Sequence, residues 1–128
     1  MSTRRQELPE PVNLRDKFGL FSDYWSPKIV GELNDSLVKA VKLKGEFVWH
    51  RHEAEDELFL VVDGRLRIQF RGGHRDINPG EFIIVPRGLE HCPLTLTDEV
   101  QVVLLAPKSH VNTGNVRNER TVTHEGRI

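Results

Sequence analysis

From residue 29 onward, short runs of β-branched and aromatic residues alternate with turn-forming pairs and triplets. The breaks fall at Asn34-Asp35, Lys44-Gly45, Asp63-Gly64, Gly72-Gly73, Asn78-Pro79-Gly80, Pro86-Arg87-Gly88 and Thr97-Asp98. Evenly spaced short strands of this kind argue for an all-β sandwich or barrel and against a parallel α/β sheet. The pattern predicts strands near 29–33, 36–43, 46–52, 57–63, 65–70, 74–77, 81–85, 91–96 and 99–106. Ahead of them, Asn13 to Phe21 reads as one or two helical turns ending near Gly19. Residues 1–11 are polar and interrupted by Pro9 and Pro11, which predicts a flexible N-terminal arm. Beyond Pro107 the chain is polar and has no apolar period: an extended C-terminal segment, either a free tail or a strap laid over the barrel or a partner. The expected organisation is an arm (1–11), one β-barrel domain with a helical lead-in (12–106) and the C-terminal segment (107–128).

Composition narrows the function classes. The 128 residues suit a single domain able to bury a core without a staple. Lys plus Arg (18) nearly balances Asp plus Glu (19), so no global charge draws the chain to nucleic acid or to an anionic membrane. Charged residues interrupt every apolar run, leaving no candidate spanning helix. Arg4-Arg5 is followed by Gln6-Glu7-Leu8-Pro9 where a twin-arginine signal needs an apolar stretch. Cys92 is the single cysteine and cannot form an internal disulfide, which suits a reducing compartment. A cytoplasmic protein is expected.

The chemistry concentrates in two stretches: Gly45-(x)4-His50-x-His52-(x)4-Glu57-(x)6-Gly64, and Gly80-(x)5-Pro86-x-Gly88-(x)2-His91. Taken singly, each part has an ordinary explanation. A His-x-His pair is commonly two exposed strand residues, a lone histidine is commonly hydrogen-bonded in a core, and the glycines form turns. Turn formation, however, does not require two histidines, a carboxylate five residues on and a third histidine behind Pro-x-Gly. In a strand, His50 and His52 point to one face and Arg51 to the other, and Glu57 follows the polar turn Glu53 to Asp56.

Over about residues 36–106 the two stretches resemble the cupin family, small jelly-roll β-barrels (double-stranded β-helices) with three histidines and one glutamate on the barrel interior. The chain departs from the family pattern at two non-ligand positions: Gly45 stands one residue closer to His50 than usual, and Thr95 replaces a common asparagine. The resemblance implies that His50, His52, Glu57 and His91 converge on one divalent transition-metal ion. Imidazole and carboxylate donors suit iron, manganese, nickel, copper or zinc, with two positions left open on a six-coordinate ion.

Alternation sorts the neighbours. Val48 shares a face with His50 and His52, Phe59 and Val61 with Glu57, and Pro93 and Thr95 with His91. These make Phe59, Val48, Val61 and Thr95 the expected pocket lining, Phe59 the one placed to touch a bound molecule. Phe47, Trp49, Leu58, Leu60 and Val62 fall on the opposite face and need cover from the other sheet, from the Tyr24-Trp25 segment or from a second subunit; a homodimer is expected, as is common in the family. Cys92 should point away from the metal, and His74, His110 and His124 are expected to be solvated. The implied function is that of a metal-binding cupin acting on a small molecule. An oxygenase is favoured over a sugar isomerase or epimerase, because the inferred pocket is apolar and lacks a phosphate clamp. The alternatives are a non-enzymatic ligand-binding or sensory module, for which a helix-turn-helix domain has no room in this chain, and a purely structural metal.

Overall fold

A computed structural model describes residues 7–128 of the chain. Among them are one short helix, α1 (Leu14–Phe18), and eight strands: β1 (Lys28–Leu33), β2 (Ser36–Leu43), β3 (Glu57–Asp63), β4 (Leu66–Phe70), β5 (Gly73–Ile77), β6 (Phe82–Val85), β7 (His91–Thr95) and β8 (Val100–Pro107). The expected N-terminal arm falls partly outside the described residues. The strands form a five-stranded sheet in the order β1-β2-β8-β3-β6 and a three-stranded sheet in the order β5-β4-β7. Every neighbouring pair is antiparallel.

Period-two alternation decides which side chains meet. Val41 and Leu43 of β2, Phe59 and Val61 of β3, Leu66 and Ile68 of β4, and Val100, Val102 and Leu104 of β8 all point inward into one shared core. The two sheets face each other across it as a jelly roll. This is the jelly roll that the sequence predicts, with the hydrogen-bonded ladders running within each sheet and not continuously around both.

The opposite face of the larger sheet is also apolar, and α1 covers part of it. The Asn13 side chain accepts from Asp16 N–H at 3.0 Å to start the helix, and the Gly19 N–H bonds back to Arg15 and Asp16 carbonyls to end it. A helix this short has no stability of its own. Phe18 holds it down, packing with Ala40 and Val103 while Leu14, Phe21, Leu60 and Val62 complete the cluster.

The stretch 46–52, expected as a strand, is instead tied to β7 by two single bridges, Glu46 opposite Leu94 and His50 opposite His91. Proline chemistry explains the interruption. Phe47 N–H donates to the Pro93 carbonyl at 2.9 Å, but Pro93 has no N–H to return the bond. Pairing resumes at His50 and His91, one residue out of register, through reciprocal N–H to carbonyl bonds of 3.0 and 2.9 Å.

The C-terminal segment is a strap over the open end of the jelly roll. Asn112 and Thr113 are buried and build a compact loop through Asn112–Arg120, Val122–Asn112 and Thr113–Thr121 hydrogen bonds. Asn115 pairs with Arg51 in both directions, side-chain oxygen to N–H and N–H to carbonyl. Gly114, at φ +56°, crosses so close to the Arg51 carbonyl that any Cβ there would overlap it. The chain ends beside β1, where Ile29 N–H donates to Gly126 and Ile128 N–H donates to Ile29.

Inside this strap, Lys39 projects inward from β2 and meets Glu125 at 2.6 Å, with the two side chains 1% and 12% exposed. Removing one partner strands a buried charge, whereas replacing both with neutral groups need not. Glu125→Gln is therefore expected to destabilise the protein by about 3 kcal/mol in urea unfolding. Adding Lys39→Met should restore most of that loss, and a double variant as unstable as the single one would contradict this account.

Candidate metal centre

Three backbone features bring the four expected ligands together. The His50–His91 bridge sets their imidazoles side by side, ring centroids 4.4 Å apart. His52 follows on the same side, and its carbonyl accepts from Gly88 N–H at 2.7 Å, which ties the first motif to the Pro-x-Gly turn of the second. That turn is also held by Arg87 N–H donating to Asp56 at 2.9 Å. Glu57 opens β3 opposite Val85 of β6 and points inward with Phe59 and Val61. One ligand atom from each of His50, His52, Glu57 and His91 lies within 4.8 Å of all the others, and all four residues are buried.

The protonation pattern suits a cation. Nδ1 of His50 donates to the Val48 carbonyl at 2.8 Å, and Nδ1 of His91 donates to the Leu89 carbonyl at 2.9 Å. A carbonyl can only accept, so the proton sits on Nδ1 and the Nε2 lone pair is free. Burial, with His91 nearby, pushes His50 down to about 4, which keeps its ring neutral. Burial also pushes the Glu57 carboxyl up, but His110, His52 and His91 around it outweigh that effect and hold it well below the usual carboxylate range. The Nε2 atoms of His52 and His91 and Oε1 of Glu57 are buried with no hydrogen-bond partner. Unpartnered buried polar atoms are costly, and three of them converging as lone-pair donors is the arrangement a divalent ion satisfies. The set can hold a metal ion.

Beside these atoms lies a cavity of about 30 Å³, walled by Trp25, Val41, Leu43, Phe47, Phe59, Pro93 and Leu104 with His50, Glu57, His110 and Asn112. No Arg or Lys lines it. Trp25 is held at φ +59°, an uncommon backbone state for a bulky residue. Two hydrogen bonds of 2.9 Å, from its N–H to Lys42 and from its ring to Lys44, and a 4.5 Å stack on Phe47 keep it there.

Of the residues expected to line the pocket, only Phe59 does. Val61 is sealed in the core, and Val48 contributes its carbonyl to His50. Thr95 turns its hydroxyl to the Gly45 N–H at 2.8 Å. Phe47 was expected on the far face but lines the cavity, its ring edge-on to His50 at 5.4 Å. Strict alternation fails where 46–50 leaves the ladder. Trp49 faces outward under the Arg71 guanidinium, 3.9 Å from its ring centre. Cys92 is fully buried, and burial pushes its thiol up to about 11, so it is no nucleophile.

His110 is the larger correction. Expected to be solvated, it is 5% exposed, stacked on His52 with ring centroids 4.1 Å apart, and its Nε2 lies 2.9 Å from Oε2 of Glu57. Sequence alone held no sign of this, since the residue sits in a polar stretch outside both motifs. His74 and His124 are exposed, as expected.

Comparison with known proteins agrees with this architecture. The family described as "Cupin domain" matches residues 39–107. The YdbB protein of Bacillus subtilis (strain 168) is 33% identical over 92 residues, covering 71% of this chain and 75% of that protein. The crystal structure of a cupin-2 domain containing protein from Shewanella frigidimarina NCIMB 400 superposes with a TM-score of 0.74 at 41% identity, over 76% of this chain and 94% of that one. Protein NMB1881 from Neisseria meningitidis superposes with a TM-score of 0.70 at 28% identity, over 77% of this chain and all (100%) of that one. The two-sheet jelly roll, its inward-facing His and Glu side chains and the family match together make this chain a member of the cupin family.

Proposed function

We propose that this cupin binds one divalent transition-metal ion through His50, His52, Glu57 and His91 and uses it on a small molecule, as an oxygenase-like enzyme in preference to an isomerase-like one. The observation that carries the reading is the convergence of unpartnered buried atoms, Nε2 of His52 and His91 with Oε1 of Glu57. Iron, manganese, nickel, copper and zinc all suit this donor set, and the bound ion would supply a Lewis-acid or oxygen-activating centre. The protein's own part is to keep water out with Trp25, Phe47 and Phe59, and to hold His50 and His91 in the tautomer that ligates. The absence of Arg and Lys from the wall disfavours a sugar phosphate, whose anionic group needs a cationic clamp. The second reading, a ligand-binding or sensory module without turnover, draws on the same small apolar cavity. Ligand-induced stabilisation without consumption of the ligand would favour it.

A homodimer belongs to the same proposal. Phe82 and Ile84 on β6 are 60% and 54% exposed, and Ile84 pairs with Leu58 on the part of the outer face outside the α1 cluster. The free, buried thiol of Cys92 accords with a reducing compartment such as the cytoplasm.

Three outcomes follow. Protein purified without a nickel column should carry close to one equivalent of metal by elemental analysis, and His91→Ala should lose most of it while keeping its β-sheet circular dichroism. Full metal retention in that variant would refute the ligand assignment. In metal-free protein, neutral His50 is favoured by the fold, whose value for the ring is about 4 against an ordinary 6.5. Between those values the unfolded chain binds more protons, so stability is complete above about pH 6.5 and falls by roughly 3 kcal/mol as pH drops towards 4. The depressed Glu57 acts in the same direction at lower pH. Urea unfolding of apoprotein at several pH values reads the slope, and a flat profile across this window would contradict it. Finally, the protein should sediment as a dimer that Ile84→Asp converts to monomer; a monomeric wild type would dispose of the dimer.

A further inference from the structure

The C-terminal strap lies beyond the cupin match, which ends at residue 107, yet it delivers a buried imidazole to the candidate metal centre. The carboxylate of Glu57 is divided between two neighbourhoods. Its Oε1 faces Nε2 of His52 at 3.3 Å and Nε2 of His91 at 3.8 Å. Its Oε2 faces Nε2 of His110 at 2.9 Å, a contact inclined away from ideal hydrogen-bond alignment. His110 is not one of the four residues whose ligand atoms cluster within 4.8 Å of one another. Its other ring nitrogen is buried and has no partner, so packing alone does not explain an imidazole here.

We propose that His110 is a positioning residue of the metal centre: it occupies Oε2 of Glu57 and thereby presents the carboxylate to the ion through Oε1 alone. This rests on the reading of His50, His52, Glu57 and His91 as metal ligands. A carboxylate with both oxygens free can chelate an ion through both and take two coordination positions. With Oε2 engaged it takes one, and a position stays open for a small molecule. Partners that fix a ligand's orientation in this way strongly affect metal affinity.

The strap is built to keep His110 in register with the ligands. Gly114 passes against the Arg51 carbonyl and the His50 ring, and Asn115 brackets Arg51, the residue between His50 and His52. Upstream, His110 N–H donates to the Pro107 carbonyl at 3.0 Å, and the Ser109 hydroxyl donates to Glu55 at 2.8 Å. The backbone that carries two ligands therefore also anchors the residue that orients a third.

The test uses the full-length protein, stripped of metal and titrated with Co(II) against a chromophoric chelator. His110→Phe keeps the ring volume and the stack on His52 but removes the N–H, whereas His110→Gln keeps a donor. His110→Phe is expected to weaken Co(II) binding about 10- to 100-fold while still taking up one equivalent at saturation, and His110→Gln to recover most of that loss. Pulsed EPR of the Cu(II) form should count three coordinated imidazoles in the wild type and in His110→Phe alike. Wild-type Co(II) affinity in His110→Phe would overturn the proposal by reducing His110 to packing. Four imidazoles falling to three would overturn it by making His110 a ligand. A wild-type protein that takes up neither ion would sink the four-ligand reading itself, an outcome distinct from either of these.

Discussion

Glu57 stands at the first residue of β3 with its carboxylate sealed from solvent, and a buried charge of that kind has to be answered from within the fold. Uncompensated, desolvation would protonate it, and burial does push in that direction. The imidazoles of His110, His52 and His91 push the other way and prevail. Burial drives the neighbouring His50 towards its neutral form. An ionised carboxylate beside buried ring nitrogens that have no hydrogen-bond partner is a combination that a divalent cation completes.

Everything that positions this cluster runs through the junction of the two sheets. β3 carries Glu57 in the larger sheet and β7 carries His91 in the smaller one. Between them His50 and His52 lie on a segment that belongs fully to neither sheet. Had 46–52 formed a regular strand, its side chains would have alternated and Phe47 would have pointed away from the cavity. Pro93 interrupts the ladder by withholding the N–H that would answer the Phe47 carbonyl, and in the segment off the ladder the Val48 carbonyl is the acceptor that orients His50. The irregularity thus supplies both an aromatic wall and a ligand's tautomer, which is why a disturbed strand sits at the chemistry and regular ones sit around it.

This junction also marks where sequence reasoning runs out. Most strands of the two sheets were legible because they couple apolar alternation to an unmistakable turn, as in Asp63-Gly64 between β3 and β4, where Gly64 adopts φ +82°. The four clustered residues were legible because the motif spacing survives as backbone contact: Gly88, a turn glycine by sequence, is the donor to the His52 carbonyl. Pocket lining was less legible: Val48 was assigned by alternation in a region where pairing breaks, and Thr95, on a regular strand, turns its hydroxyl to the Gly45 N–H. The strap was legible only as one alternative to a free tail, and its buried contacts were not. Residues 107–128 hold their shape through side-chain hydrogen bonds of Asn112, Thr113 and Asn115 and through one buried ion pair, and none of these leaves a periodic trace.

The strap changes what the cavity can be. Without it the jelly roll would open directly onto the ligand cluster, and water would reach every free lone pair. With it, Asn112 and His110 close one wall of the apolar cavity beside the metal site, which holds about 30 Å³. That volume accommodates a water or a diatomic molecule but not an organic substrate of ordinary size. A larger substrate must displace part of the wall, and the walls differ in how firmly they are held. Phe59, Val41 and Leu104 belong to the continuous core of facing sheets, where movement would open voids. Asn112 belongs to a loop whose contacts are mainly polar and can be exchanged for water. Entry to the site is therefore expected from the strap side, and substrate size should be set by the C-terminal segment more than by the barrel.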